Sequence, residues 1–340
     1  MPQFRPSWLA RHLVWISAVL VCLAALLDAS LGATQINWWT LLSELDDETR
    51  DIAQQVFIQI RLPRVVLVVA VGFSLAMSGA ALQGLFQNPL ADASLLGVSS
   101  AASLGAVLAL FYGLYSLNPI FVPICGLLGA ALSVVMMFAL VGRHASNLSL
   151  ILSGVAISSV MASLIALALN FSDNPYAMSE MIFWLLGSLD NKSLQDVYLS
   201  VPFMVVGCAL LYVSRHYLDA LSLGEDTATT LGFSTTRYRA LIILGVGLSV
   251  GAAVSMSGSI GFVGLVVPHL LRPIVSNRPS KLLIPSGLVG ALMLLLADSL
   301  VQTLASQQAS SVHLKLGVVT SLIGGPFFLW LLYRLRTREI

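Results

Sequence analysis

The chain has 340 residues, 57% hydrophobic and 10% charged, with a formal net charge of +1 and a mean hydropathy of +0.90. So little polar surface cannot cover a water-soluble globule of this length, which excludes a soluble enzyme or binding module and points to a protein embedded in lipid. The near-zero charge, with no basic block, argues against nucleic acid as a partner.

Arg5 and Arg11 precede an apolar run from 13 to about 33. We read it as an uncleaved first helix rather than a signal peptide, because the run is long and more spans follow. An acidic amphipathic linker with Glu44, Asp46, Asp47, Glu48 and Asp51 comes next, polar enough to lie outside the membrane. Further apolar segments at 56–85, 93–112, 119–141, 148–169, 195–213, 240–256, 260–271, 282–304 and 314–333 bring the total to about ten, two of them short. The expected fold is an all-α polytopic membrane protein, and nothing sizeable is left for a soluble domain, so residues 1–340 are read as one transmembrane domain. The segment 181–189, MIFWLLGSL, is apolar but too short to cross. It is expected to be a re-entrant or interfacial helix, with Trp184 at the interface.

Threading these spans with the amino terminus in the cytoplasm puts 12 of the 17 Lys and Arg residues inside, among them Arg143, Arg215, Arg237, Arg239 and Arg272. Arg61, Arg64, Lys192 and Lys315 fall outside together with Asp173, Glu180, Asp190 and Asp196. Cytoplasmic loops carry excess positive charge, so both termini are expected to be cytoplasmic. Small residues spaced by four recur, at Ser74/Ser78, Ala80/Gly84, Gly154/Ser158/Ala162, Gly247/Gly251 and Gly317/Ser321/Gly325. That spacing lets helices approach closely in lipid, so packing is its first explanation.

The stretch 257–272, SGSIGFVGLVVPHLLR, is apolar yet loosened by Gly258, Gly261 and Gly264, lacks a donor at Pro268, and ends in His269 and Arg272. A helix broken at membrane depth survives only where protein or a water-filled cavity satisfies its freed backbone groups. It is either packed inside a bundle or part of a translocation path.

No phosphate-binding loop is present: Lys281 and Lys315 are each followed by Leu, and Asn191 precedes Lys192 where glycine is needed. No zinc-protease motif, Cys/His metal spacing or nucleophile elbow occurs, so neither a catalytic nor a metal site is expected. Cys22, Cys125 and Cys208 sit in apolar runs and read as buried inert thiols. The spans hold few ionisable groups, with Asp28, Asp298 and Arg64 near helix ends. An ion-driven secondary transporter is therefore disfavoured, although sodium sites can be built from carbonyls and hydroxyls. Energy would instead come from a cytoplasmic partner. The segment 221–232, LSLGEDTATTLG, is suited to receive it: a short helix between two spans, starting after Gly224 with Glu225 and Asp226 and stopping at Gly232.

The residues 61–64 (RLPR), 78–97 (SGAALQGLFQNPLADASLLG), 224–232 (GEDTATTLG), 258–272 (GSIGFVGLVVPHLLR), 283–298 with Pro285, Gly290, Ala291 and Asp298, and 317–329 (GVVTSLIGGPFFL) together resemble the FecCD-type permeases of ABC importers, from about residue 56 to the carboxyl end. The resemblance implies a BtuC-like permease fold in a bacterial inner membrane, taking up ferric siderophores or other iron chelates, haem or vitamin B12. It also implies a second permease subunit, in a homodimer or close heterodimer, two ATPase subunits that bind ATP and magnesium in place of this chain, and a periplasmic binding protein. Carried over, Gly224, Glu225, Ala228, Leu231 and Gly232 form the helix that couples to the ATPase. Arg61 and Arg64 match rim arginines that pair with glutamates of the binding protein; snorkelling to lipid phosphates is the alternative. Two departures stand out, Gln302 where relatives often carry arginine and His313-Leu314-Lys315 where many carry Glu-Leu-Pro, which moves the expected docking charge towards Lys315. A polar path is expected along Asn147, Ser149, Ser153, Gly154, Ser158, Thr320 and Gly324.

Overall fold

A computed structural model describes residues 7–31, 47–142, 146–275, 278–307 and 314–336. Glu44, Asp46, Arg5, Arg143 and His313 lie outside the described residues. In chain order the helices are α1 (Ser7–Ser30), α2 (Asp47–Val56), a π-helical turn (Phe57–Arg61), α3 (Leu62–Leu85), a 3-10 turn (Ala93–Leu96), α4 (Val98–Phe111), α5 (Leu114–Leu117) and α6 (Phe121–Val141). They continue with α7 (Asn147–Asn170), α8 (Pro175–Leu185), α9 (Leu194–Val213), α10 (Arg215–Leu221), α11 (Glu225–Thr230), α12 (Thr235–Ser257), α13 (Val263–Leu271), α14 (Pro279–Gln307) and α15 (Leu316–Arg336). An all-helical chain is what hydrocarbon demands, since each backbone N–H and C=O must be satisfied within its own segment.

Among the described residues, seven helices are long and apolar enough to cross a membrane, and Val98–Phe111 and Leu316–Leu331 are shorter apolar helices. With the broken α13 they complete the ten segments read from the sequence. The acidic stretch is not a separate linker from Asp47 onward. It is the start of α2, which runs without interruption through the π turn into α3.

Helices α3 and α12 form the core, with 72% and 78% of their apolar stretches buried inside the chain, against 22% for α7. Around α3 pack α14, α12, α13, α9 and α1, while α4 lies between α6, α7 and α12. Close approach depends on glycine: a Cβ at Gly79 would stand 1.9 Å from the Gly264 carbonyl oxygen, and one at Gly154 1.7 Å from that of Leu95. Small residues therefore set the α3–α13 and α7–3-10 contacts, the second through Gly154 as its spacing suggested, but Gly325 faces open space and its spacing has no such use within this chain.

The break between α12 and α13 lies at 258–262, where Gly258 and Phe262 both take positive φ near 68°. The residue cost at Phe262 is real, because a side chain in the left-handed region is strained. Loop 186–193 braces this break: the Ser188 N–H donates to Ser257 O at 2.7 Å, and the Gly317 N–H to Gly187 O at 3.1 Å. The short apolar segment expected over 181–189 begins earlier, in α8, because Asn174 caps Tyr176 and Ala177 and Pro175 suits the first turn. Trp184 is half-buried against the core. Cys22 is exposed on α1, contrary to the expected buried thiol, because that helix packs only one face against the bundle; Cys125 and Cys208 are partly buried.

Candidate functional site

The two ends of α3 carry separate polar clusters, and Arg64 and Gln83 lie about 28 Å apart along it at the helical rise of 1.5 Å per residue. At the Arg64 end, the guanidinium donates from Nε to Asp298 Oδ2 and from Nη2 to Asp298 Oδ1, both at 2.8 Å. Its Nη1 reaches Asp190 Oδ1 at 3.2 Å, and Lys315 Nζ reaches Asp190 Oδ2 at 3.1 Å. Gln302 donates to Asp298 at 2.9 Å and to Asp28 at 3.2 Å, and Ser299 donates to Asp28 at 2.8 Å.

This network joins α1, α3, loop 186–193, α14 and the start of α15. Burial works against ionisation of Asp190, but the Ser188 hydroxyl at 2.6 Å, Arg64 and Lys315 outweigh it and hold its pKa below the ordinary carboxylate value of 3.8. The position where an arginine was the common alternative, Gln302, holds two carboxylates together through one amide. Arg61 is buried and donates from Nη1 to Ala29 O at 2.7 Å. Of the three sequence-predicted docking residues, Arg64 and Lys315 thus meet on Asp190, and Arg61 ties α1 to the π turn. Beside them opens a cleft of about 230 Å³ lined by Glu180, Trp184, Asp190, Lys192, Asp196 and Lys315.

At the other end, Gly224 (φ +111°) and Gly232 (φ +88°) bound α11. Positive φ is inexpensive only for glycine, so the chain turns sharply at both sides of this short helix. Ala228 is fully buried beneath it, whereas Leu223 and Leu231 are 69% and 60% exposed. The base is held by an aromatic trio, with Tyr217 stacked on Tyr238 at 5.0 Å and Phe233 edge-on to Tyr238 at 5.4 Å. Glu225 pairs with Arg239 at 3.0 Å. Asp219 of α10 accepts from the Ser280 N–H at 2.8 Å and its hydroxyl at 2.6 Å, capping the start of α14. Gln87 donates to Leu221 O, and Arg272 to Gln83 at 2.7 Å. The segment thus offers two exposed aliphatic side chains on a firmly anchored base.

The expected path residues fall into two groups. Asn147 begins α7 and accepts from Arg239 at 3.2 Å, and Ser149 forms a capping box with Ser146. Ser153, Gly154 and Ser158 lie on α7, where Gly154 packs against Leu95 and Ser158 donates to Ser94 O at 3.2 Å. Thr320 is buried inside the chain and donates to Gly317 O at 3.1 Å, and Gly324 packs against Phe262. Within one subunit α7 packs on α4, α6 and the 3-10 turn, and α15 on α13 and α14. The two groups are therefore on different sides of the bundle.

Sequence reasoning placed Asp190 only among outer acids and Arg239 only among inner cations, although each is the hub of its cluster. Nothing in their spacing pointed to this, because Lys315 lies 125 residues from Asp190 and Asn147 lies 92 from Arg239, although Glu225 is just 14 from Arg239. Among the described residues, no three His, Cys, Asp or Glu side chains come together as a metal site.

Residues 19–334 match the FecCD transport family. The chain is 34% identical over 332 residues to the vitamin B12 import system permease protein BtuC of Citrobacter koseri, covering 96% of both chains. It is 34% identical over 325 residues to the hemin transport system permease protein HmuU of Yersinia pestis, covering 94% of this chain and 95% of that one. A solved structure of a metal-chelate type ABC transporter in an inward-facing conformation superposes with a TM-score of 0.82 at 31% identity, covering 94% of this chain and 98% of the other.

Proposed function

This chain belongs to the FecCD transport family as the multi-pass permease of an ABC importer, and on that premise we propose that it conducts a ferric siderophore, another iron chelate or haem from periplasm to cytoplasm. The observation that carries the cargo class is its similarity, along nearly the whole length, to a hemin permease and to a metal-chelate type transporter. Vitamin B12 is the second reading, favoured by the equal identity to the B12 permease.

In this reading the chain sits in a bacterial inner membrane with both termini in the cytoplasm, as one permease domain that pairs with a second copy. Two ATPase subunits bind ATP and magnesium and hydrolyse it, and this chain binds no nucleotide. They dock on α11, where Leu223 and Leu231 supply exposed apolar anchors around Glu225. A periplasmic binding protein docks at the opposite end, over the cleft beside Lys315, Asp190 and Arg64. The charges there are mutually neutralised, so docking would exchange Asp190 for a carboxylate of the binding protein on Arg64 or Lys315. Such exchange favours orientation over raw affinity. Cargo then passes along α7 and α15, by Asn147, Ser149, Ser153, Gly154 and Ser158 and by the face near Thr320 and Gly324.

Extraction in mild detergent, with identification of the chains that copurify and a vanadate-sensitive ATPase assay, tests this reading. A stoichiometric ATPase, stimulated by a periplasmic binding protein whose ligand is an iron chelate or haem, is the expected result. A chain that purifies alone and supports ionophore-sensitive uptake would overturn it in favour of an ion-driven transporter.

A further inference from the structure

A displacement delivered to α11 has a short covalent route to α12, since only residues 231–234 separate the two helices. It has no comparable route to α7. Arg239 supplies a non-covalent one. Its side chain is largely buried, and a single nitrogen, Nη2, donates to Glu225 Oε2 at 3.0 Å and to Asn147 Oδ1 at 3.2 Å. Glu225 is the first residue of α11, Asn147 the first of α7, and Arg239 lies in the first turns of α12.

Three helix starts therefore meet on one cation. The Asn147 amide is not needed to begin α7, because the capping box of Ser146 and Ser149 already satisfies that end. Charge-assisted bonds from a buried guanidinium are strong and directional, so the three ends are held together as one body.

We propose that Arg239 is the strut through which α11 moves the inner end of α7. It is a positioning residue, acting through Asn147 rather than on cargo, and the inference rests on reading α11 as the ATPase-facing helix. Trapping the ATPases would then displace α7 with α11, and cutting the Asn147 bond would leave α7 behind while the ATPases stay bound.

The test uses the complete complex in lipid, with the native cysteines replaced and spin labels at Leu152 on α7 and Lys281 at the start of α14, both exposed positions. The label distance is measured before and after trapping with ADP and vanadate. We expect a shift in the unsubstituted complex, its loss in Asn147→Ala, and its return in Asn147→Asp, which keeps an acceptor for Arg239. ATPase subunits should copurify in full with both variants. If Asn147→Ala does not assemble, Asn147→Ser, too short to reach Arg239 but suited to a first helical turn, is read in its place. A full shift with the bond cut, or no shift in the unsubstituted complex, overturns the strut. A complex that never contains an ATPase overturns the reading of α11 itself, and the strut with it.

Discussion

Arg64 holds Asp298 through two nitrogens at once, each 2.8 Å from a different carboxylate oxygen, and Asp298 is almost wholly buried. The pair joins α3 to α14, two helices packed extensively against each other. A planar guanidinium can grip both oxygens, whereas a lysine ammonium cannot.

Arg64→Ala should therefore destabilise the fold by about 3–5 kcal/mol, because it strands a buried carboxylate. Arg64→Lys should recover only part of the loss. Thermal unfolding in detergent measures both. The double replacement Arg64→Met with Asp298→Leu should cost less than Arg64→Ala alone, since the buried Asp298 carboxylate is removed together with its cation.

The Asp190 carboxylate titrates below its ordinary value of 3.8. A depressed folded-state pKa gives stability that is fully present above 3.8 and is lost as pH falls through the lower folded value. Melting temperature against pH should show an acid limb in the unsubstituted protein that is shallower in Asp190→Asn. Identical limbs in the two proteins would mean that the Arg64–Asp190–Lys315 contacts add nothing.

Gly79→Ala forces a Cβ to within 1.9 Å of a backbone oxygen of Gly264. Neither backbone can yield cheaply, and the expected loss is about 1–3 kcal/mol or more. Gly325 has nothing within 4 Å of an added Cβ and lies inside α15. Gly325→Ala should hold stability or raise it by about 0.5–1 kcal/mol. Comparing the two melting temperatures separates packing from helix propensity.

Leu231 and Leu223 are exposed on either side of α11 while Ala228 is fully buried beneath it. Leu231→Asp should weaken ATPase copurification by roughly tenfold, the cost of losing an apolar anchor worth over 1 kcal/mol. The permease itself should remain folded. Ala228→Leu should instead lower the melting temperature, by overpacking the base of α11.

Ser158→Trp adds bulk at a partly exposed position on α7 and, in the proposed reading, should abolish cargo uptake in membrane vesicles with the complex still assembled. Normal uptake would remove this face of α7 from the path. Thr320→Trp is a poorer probe, since Thr320 is buried within the chain and a large ring there would strain the packing around α15.

The sequence by itself determined the class of molecule, its spans and its breaks. Hydropathy over about 20 residues is a local property that lipid reads directly, so 56–85, 119–141 and 282–304 appeared close to their places, and Gly258 and Gly224 marked turns because only glycine takes such φ cheaply. Ordered motifs were enough to identify the family, which residues 19–334 match. Tertiary structure alone decided which polar groups meet. Asp190 and Arg239 are ordinary charges in the sequence, and each becomes a hub because folding brings Lys315 to Asp190 across 125 positions and Asn147 to Arg239 across 92. Inside a membrane protein an ionised group must find a partner wherever the packing puts one. Pairing of that kind depends on which helix faces which, and no local pattern records it.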